Sequence, residues 1–364
     1  MIELSPLLLA LAFIVVGIIA WGLGHGRGIA RTVRLPRDYY IGLDHLINDR
    51  FDRAAEVFSR MAQVDGDAVE IQFALGSVFR RRGEVDRAIA IHSRLRGNAL
   101  PAVAQRGAFA LALDYSSAGL MDRAERLFEE LAATREYRDA ALDHLVRIHE
   151  QGGDWANALK VFHELPRSVQ GERRRVAAHY LCELAEHALL QGDSARAHTL
   201  LKQASAHDAD LSRARILTAR MTAAAGDTSG ALALYLEALE AAPSLALEII
   251  PRVLALVGRQ GEAQLLGDVS TRLRATGRVT SRQLAWLLAT AVPATDLPDS
   301  SAETSALRAL LVRMSDVGGR YQCDDCGLSS VGWYWRCPRC RTWDSLHPVV
   351  FKWAERTDEA ARAS

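Results

Sequence analysis

Six alanines recur along this chain at nearly constant intervals: Ala54, Ala88, Ala124, Ala158, Ala197 and Ala231 are separated by 34, 36, 34, 39 and 34 residues. Five residues before each stands a turn residue: Asp49 in the first copy, then Gly83, Gly119, Gly153, Gly192 and Gly226. Four residues after each stands a bulky one: Phe58, His92, Phe128, Phe162, Leu201 or Tyr235. A small residue such as Gly42, Gly76 or Ala112 opens the unit. Glycine ends a helix in a left-handed conformation that residues with a Cβ resist. Glu84, Asp154, Asp193 and Asp227 directly follow their glycines, where acids suit the start of the next helix. The small residue and the alanine let two helices approach closely, and the bulky residue fills the groove toward the neighbouring unit. Six copies in phase describe a stack of helix pairs.

A period near 34 is that of the tetratricopeptide repeat, which implies an all-α superhelix over residues 39–290. Pro243, twelve residues past Ala231, occupies the usual repeat-ending place. Beyond it, Leu, Ala and Val continue at helical spacing, broken by Gly258, Gly261 and Gly277. These read as degenerate repeats that cover an otherwise apolar end face. Residues 291–318 read as a linker with a short helix from Ser305 to Asp316, and residues 351–364 as a frayed polar tail.

Four of the five cysteines fall in the pattern Cys323-x2-Cys326-x10-Cys337-x2-Cys340. Two CxxC pairs each wrap a turn around one metal, so that four thiolates converge tetrahedrally. This defines a small metal knuckle over residues 319–350, with Gly327 and Pro338 shaping its turns. Cysteine fills all four positions, leaving no open place for a substrate water, so hydrolysis at the metal is disfavoured. Zinc in a structural role is favoured, and iron, with one-electron transfer, stays open. Such a module has little core of its own. Trp333, Trp335, Trp343 and Trp353 lie in or just after it, and some of these rings are expected to pack on the repeats. Cys182 lies in an Ala/Leu-rich helical stretch as a buried thiol, and this cysteine usage fits a reducing compartment.

At the other end, residues 4–24 form a run of twenty-one uncharged residues, enough to cross a bilayer as a helix. Glu3 precedes it, while His25, Arg27, Arg31, Arg34 and Arg37 follow before the first acid, Asp38. A cleaved signal peptide would carry its basic residues on the other side. The expectation is an uncleaved anchor at 1–24 and a basic juxtamembrane linker at 25–38 that meets anionic lipids, with the remainder facing the cytoplasm.

No phosphate-cradling loop, serine elbow or zinc-protease helix occurs. The histidines are dispersed on repeat helices as surface or packing residues, and Glu129-Glu130 are adjacent and diverge into solvent. Glu172-Arg173-Arg174-Arg175 reads as a solvated helix start or inter-repeat loop. Arg336, Arg339 and Arg341 make the knuckle tip basic, offset by Asp324, Asp325 and Asp344. Lysine plus arginine equal aspartate plus glutamate at 44 each, so no nucleic-acid partner is expected.

The order of anchor, repeats and two-CxxC tail resembles the lipopolysaccharide assembly protein B family of Gram-negative bacteria, also called LapB or YciM. The specific part is Tyr321-Gln-Cys323-Asp-Asp-Cys326-Gly327, then Trp333-Tyr334-Trp335-Arg-Cys337-Pro338 and Cys340-Arg341-x-Trp343. The Ala/Arg-rich composition and the degenerate late repeats depart from the family pattern. The resemblance implies a non-enzymatic inner-membrane adaptor with Cys323, Cys326, Cys337 and Cys340 as metal ligands. It further implies that the adaptor presents the lipid A deacetylase LpxC to the membrane protease FtsH, restrained by an inner-membrane sensor of lipopolysaccharide. A general membrane-tethered scaffold for envelope assembly and a rubredoxin-type electron carrier are the alternatives.

Overall fold

The computed structural model describes residues 36–64, 68–257, 262–276 and 321–349. The apolar run 4–24, most of the basic stretch after it, the linker 291–318 and the tail 351–364 lie outside these residues. Among the described residues, no helix is long and apolar enough to cross a membrane. The chain divides into two units, Met1–Leu131 and Ala132–Ser364.

The first unit holds three helix pairs: α1 (Arg37–Ile47) with α2 (Phe51–Val64), α3 (Val69–Arg81) with α4 (Val85–Arg96), and α5 (Pro101–Ser117) with α6 (Met121–Ala132). The second holds α7 (Arg138–Gly152) with α8 (Trp155–Glu164), then a short α9 (Arg167–Glu172). There follow α10 (Arg174–Leu190) with α11 (Ser194–His207), and α12 (Ser212–Ala224) with α13 (Thr228–Ala241). A 3-10 turn at Pro243–Leu245 leads to α14 (Ala246–Val257) and α15 (Glu262–Ala275). The extra helix α9 accounts for the one long interval of 39 residues between Ala158 and Ala197.

All but one of the signature positions do what their chemistry requires. All six repeat alanines are completely buried, at 0% exposure. The five turn glycines have φ between 70° and 88°, and Asp49 takes the same left-handed turn at φ 55°. Asp154, Asp193 and Asp227 cap their helices, accepting from the backbone N–H of Asn157, Arg196 and Gly230 at 3.1, 2.9 and 2.8 Å. Glu84 does not cap; its carboxylate pairs instead with Arg82 and Arg87. Gly42 faces the ring of Phe58 so closely that a Cβ would overlap it, and Gly76 stands in the same relation to His92. Burying a side chain the size of Phe58 contributes about 1.5–3 kcal/mol.

His92 departs from the apolar filler used in most copies. Its buried ring stacks on Phe73 and its Nδ1 meets Asp114 Oδ2 at 2.5 Å, while Asp114 Oδ1 accepts from Arg80 at 2.9 Å. A polar network thus replaces hydrocarbon between α3, α4 and α5, with the Asp114 carboxylate shared by two donors.

Among the described residues, the C-terminal module is the one part that is not built from helices. Three short antiparallel strands, β1 (Tyr321–Cys323), β2 (Ser329–Ser330) and β3 (Leu346–Pro348), form a sheet in the order β2-β1-β3. Tyr321 lies opposite Ser330 on one side and Pro348 on the other. The architecture is therefore mostly helical, with a small β knuckle added to the all-α repeats.

Candidate metal centre and its seat on the repeats

Two loops bring the cysteines together. Gly327, at φ 70°, turns the chain after the first pair, and its N–H donates to Cys323 O at 3.1 Å. In the second loop the N–H of Arg341, at φ 65°, donates to Cys337 O at 2.9 Å. The four Sγ atoms lie within 4.8 Å of one another. Cys323 and Cys340 Sγ are 3.5 Å apart, Cys326 and Cys337 Sγ 3.7 Å. A tetrahedron of thiolates at about 2.3 Å from zinc has edges of about 3.8 Å, so the spacing fits a single ion. None of the five cysteines is in a disulfide.

The surroundings favour thiolates. Burial opposes ionisation of Cys323, but its hydrogen bond with Ser345 and those from the N–H groups of Cys326 and Asp325 outweigh it and bring the thiol down to about 6. The Thr342 hydroxyl and backbone N–H likewise lower Cys340. The Leu328 N–H favours the Cys326 thiolate, but burial and the other three sulfurs together outweigh it and raise the thiol to about 11. A set in which some thiols ionise readily and another resists is what four close sulfurs give until a cation shares their charge. Cys182 stands apart from this cluster; burial pushes its thiol up to about 12, as suits an inert packing residue.

The knuckle has a seat on the second unit, and the residues that form it carry no sequence signature. Glu150, near the end of α7, is its first anchor. One carboxylate oxygen accepts from Tyr180 Oη at 2.5 Å and from Trp343 Nε1 at 3.3 Å; the other accepts from Arg336 Nη2 at 3.2 Å. Arg336 Nη1 also donates to the Glu150 carbonyl at 2.8 Å, so a cation closes the negative end of the helix. Burial first, and the Glu150 charge second, push the Tyr180 hydroxyl well above the usual tyrosine range.

Asp344 is the second anchor. His179 Nε2 and Arg175 Nε, both on α10, donate to one of its oxygens at 2.8 and 2.6 Å. Burial opposes the Asp344 charge, but these partners outweigh it and hold the carboxyl below its usual range. Burial lowers His179, which keeps it neutral with Nε2–H toward Asp344. The third anchor is aromatic. Trp343 stacks on His179 at 4.6 Å and meets Trp155 edge-on at 5.7 Å. Beneath lies Arg213 of α12, only 2% exposed, paired with Glu183 and Glu186 at 2.8 and 2.7 Å. Its guanidinium carbon is 5.6 Å from the Trp335 ring and 5.9 Å from that of Trp343. Tyr321, Cys323, Cys337 and Leu346 share one apolar cluster with Tyr235, Leu245, Ile249 and Val253, and Tyr321 Oη donates to Glu248 at 3.0 Å.

Several expectations are met here and two are corrected. Trp333, Trp335 and Trp343 pack against the repeats, as the scarcity of core in the knuckle requires; Trp353 lies outside the described residues. The triple-arginine run does begin a helix, yet Arg175 is not merely solvated, since it binds Asp344 and Asp208. Arg336 does not form a basic tip but is clamped against α7.

Comparison with known proteins agrees with this anatomy. A model described as a rubredoxin metal binding domain matches residues 321–348, and a tetratricopeptide repeat model matches 40–99 and 182–246. The chain is 31% identical over 356 residues to lipopolysaccharide assembly protein B of Escherichia coli (strain K12), covering 87% of this chain and 90% of that protein. The protein of the same name from Haemophilus influenzae (strain Rd) is 27% identical over 401 residues, covering 96% and 98%. Among solved structures, the C-terminal part of a TPR repeat-containing protein from Cytophaga hutchinsonii is similar over 68% of this chain and 98% of its own, at 12% identity and TM-score 0.46. With four cysteines forming a rubredoxin-like site on tetratricopeptide repeats, and a relative matched over nine-tenths of its length, the chain belongs to the lipopolysaccharide assembly protein B family.

Proposed function

We propose that this protein is a non-enzymatic adaptor in lipopolysaccharide assembly, which holds the deacetylase LpxC where the membrane protease FtsH degrades it. The observation that carries this reading is the match over 90% of a relative named for lipopolysaccharide assembly, with repeats and knuckle both present. Stacked helix pairs offer extended surfaces for a protein client. Residues 4–24 act in this reading as an uncleaved inner-membrane anchor, with residues 25–38 against anionic lipid and the rest cytoplasmic. Tethering client and protease to one membrane raises their effective concentration without any new contact. An inner-membrane sensor of lipopolysaccharide sets the adaptor's activity. The metal is zinc, which would draw the four thiolates into one rigid knuckle and supply no redox chemistry.

The test is the half-life of LpxC in the native host with this protein present and depleted. A longer half-life on depletion, with accumulation of lipopolysaccharide, supports the adaptor. An unchanged half-life leaves a tethered assembly scaffold that does not govern turnover. Visible absorbance from bound iron, with a reversible potential, would instead favour electron transfer.

A further inference from the structure

The residues that seat the knuckle also form the stem of its second ligand loop. Trp335 and Arg336 lead into Cys337, Thr342 to Asp344 leave Cys340, and the two arms meet at a bridge between Arg336 and Trp343. Cys337 N–H donates to Thr342 O at 2.9 Å, Asp344 N–H to Trp335 O at 2.8 Å, and Arg336 Nε to Arg341 O at 3.0 Å. Four of the five stem side chains are held by helices of the second unit: Trp335 over Arg213, Arg336 and Trp343 on Glu150, Asp344 on Arg175 and His179. Within the loop, Arg341 and Asp344 stand at φ 65° and 54°. That region is unfavourable for a residue with a Cβ and persists where the surroundings over-determine it. The first loop depends on the same unit, since Cys323 shares its apolar cluster with α13 and α14.

We propose that metal retention in this centre is set from the repeats: Glu150, Arg175, His179 and Arg213 are positioning residues for the four thiolates. Metal binding and seating of the knuckle are then one coupled equilibrium. Coupling of this kind is reciprocal. By whatever factor seating on α7, α10 and α12 tightens the metal, the metal tightens the seat. Removing the ion bares a surface of α7, α8, α10 and α12 that combines two arginines, a glutamate and the Trp155–Tyr180 aromatic pair.

The experiment uses the full-length chain loaded with one equivalent of zinc. Zinc release to a chromogenic chelator is followed for wild type, Glu150→Gln, Arg175→Ala and the double variant, with Arg272→Ala as control because its pair with Glu240 leaves the knuckle untouched. We expect release about tenfold faster in the double variant, within the 5–150-fold span of such couplings, and unchanged in the control. The metal-free forms of wild type and double variant should melt alike. In wild type, chelation should accelerate amide exchange along α7, α10 and α12. Wild-type release from the double variant would overturn the proposal. So would exchange in these helices that ignores zinc, or an equal loss of stability in the metal-free double variant, which would mark general destabilisation.

Discussion

At Asp49 a single φ of 55° makes the side chain a cost, because the other five copies of this turn place glycine there. The residue is exposed, and its nearest cation, Arg81, is 4.0 Å away with both side chains in solvent, a pair worth little. Asp49→Gly should therefore stabilise the first unit by about 1 kcal/mol, read as a higher denaturant midpoint at unchanged slope. The repeat positions were legible one residue at a time, because close helix approach and a left-handed turn each admit few residue types. His92 shows the limit of that legibility. Its place as groove filler follows from spacing, but nothing local marks Asp114 or Arg80 as its partners, since the helix pairing itself brings them together.

Between elements, the joint of α10 with the knuckle is held by groups that titrate. Burial lowers His179 below its ordinary 6.5, so its contribution to seating is fully present above 6.5 and is lost as pH falls through its depressed value. Asp344 is lowered from 3.8, so its contribution is present above 3.8 and is lost in stronger acid. Arg175 and Arg213 remain charged throughout and face the same carboxylate and imidazole. Acid should therefore loosen the seat in two stages, with the first below 6.5. Tryptophan emission of the zinc-loaded protein should shift there, and the first stage should vanish in His179→Asn. The ligand set was readable because CxxC spacing is local. The seat was not, since Glu150 and Arg336 are 186 residues apart and a lone glutamate on a helix looks like solvated surface.

For the whole molecule, Cys337→Ser makes the sharpest separation between repeats and knuckle. Loss of one of four thiolates should abolish metal binding and free the knuckle, while far-UV circular dichroism stays close to wild type because the repeat helices among the described residues lie outside the knuckle. Metal content and the dichroism spectrum check these outcomes; under the proposed function LpxC half-life should lengthen as well, and a metal-free variant with wild-type LpxC turnover would sink the link between knuckle and regulation. The architecture was written in phased repeats and one dense motif, so its parts could be named in order. How the last module closes against the fourth, fifth and sixth helix pairs depended on contacts that no period encodes. Those contacts also set a schedule. Glu150 leaves the ribosome 186 residues before Arg336. At about 5–20 residues per second, the acid and its neighbours wait roughly 10–40 s for their partners. Every newly made copy passes through an interval in which its second unit is incomplete, and a chain cut short before the last CxxC never leaves it.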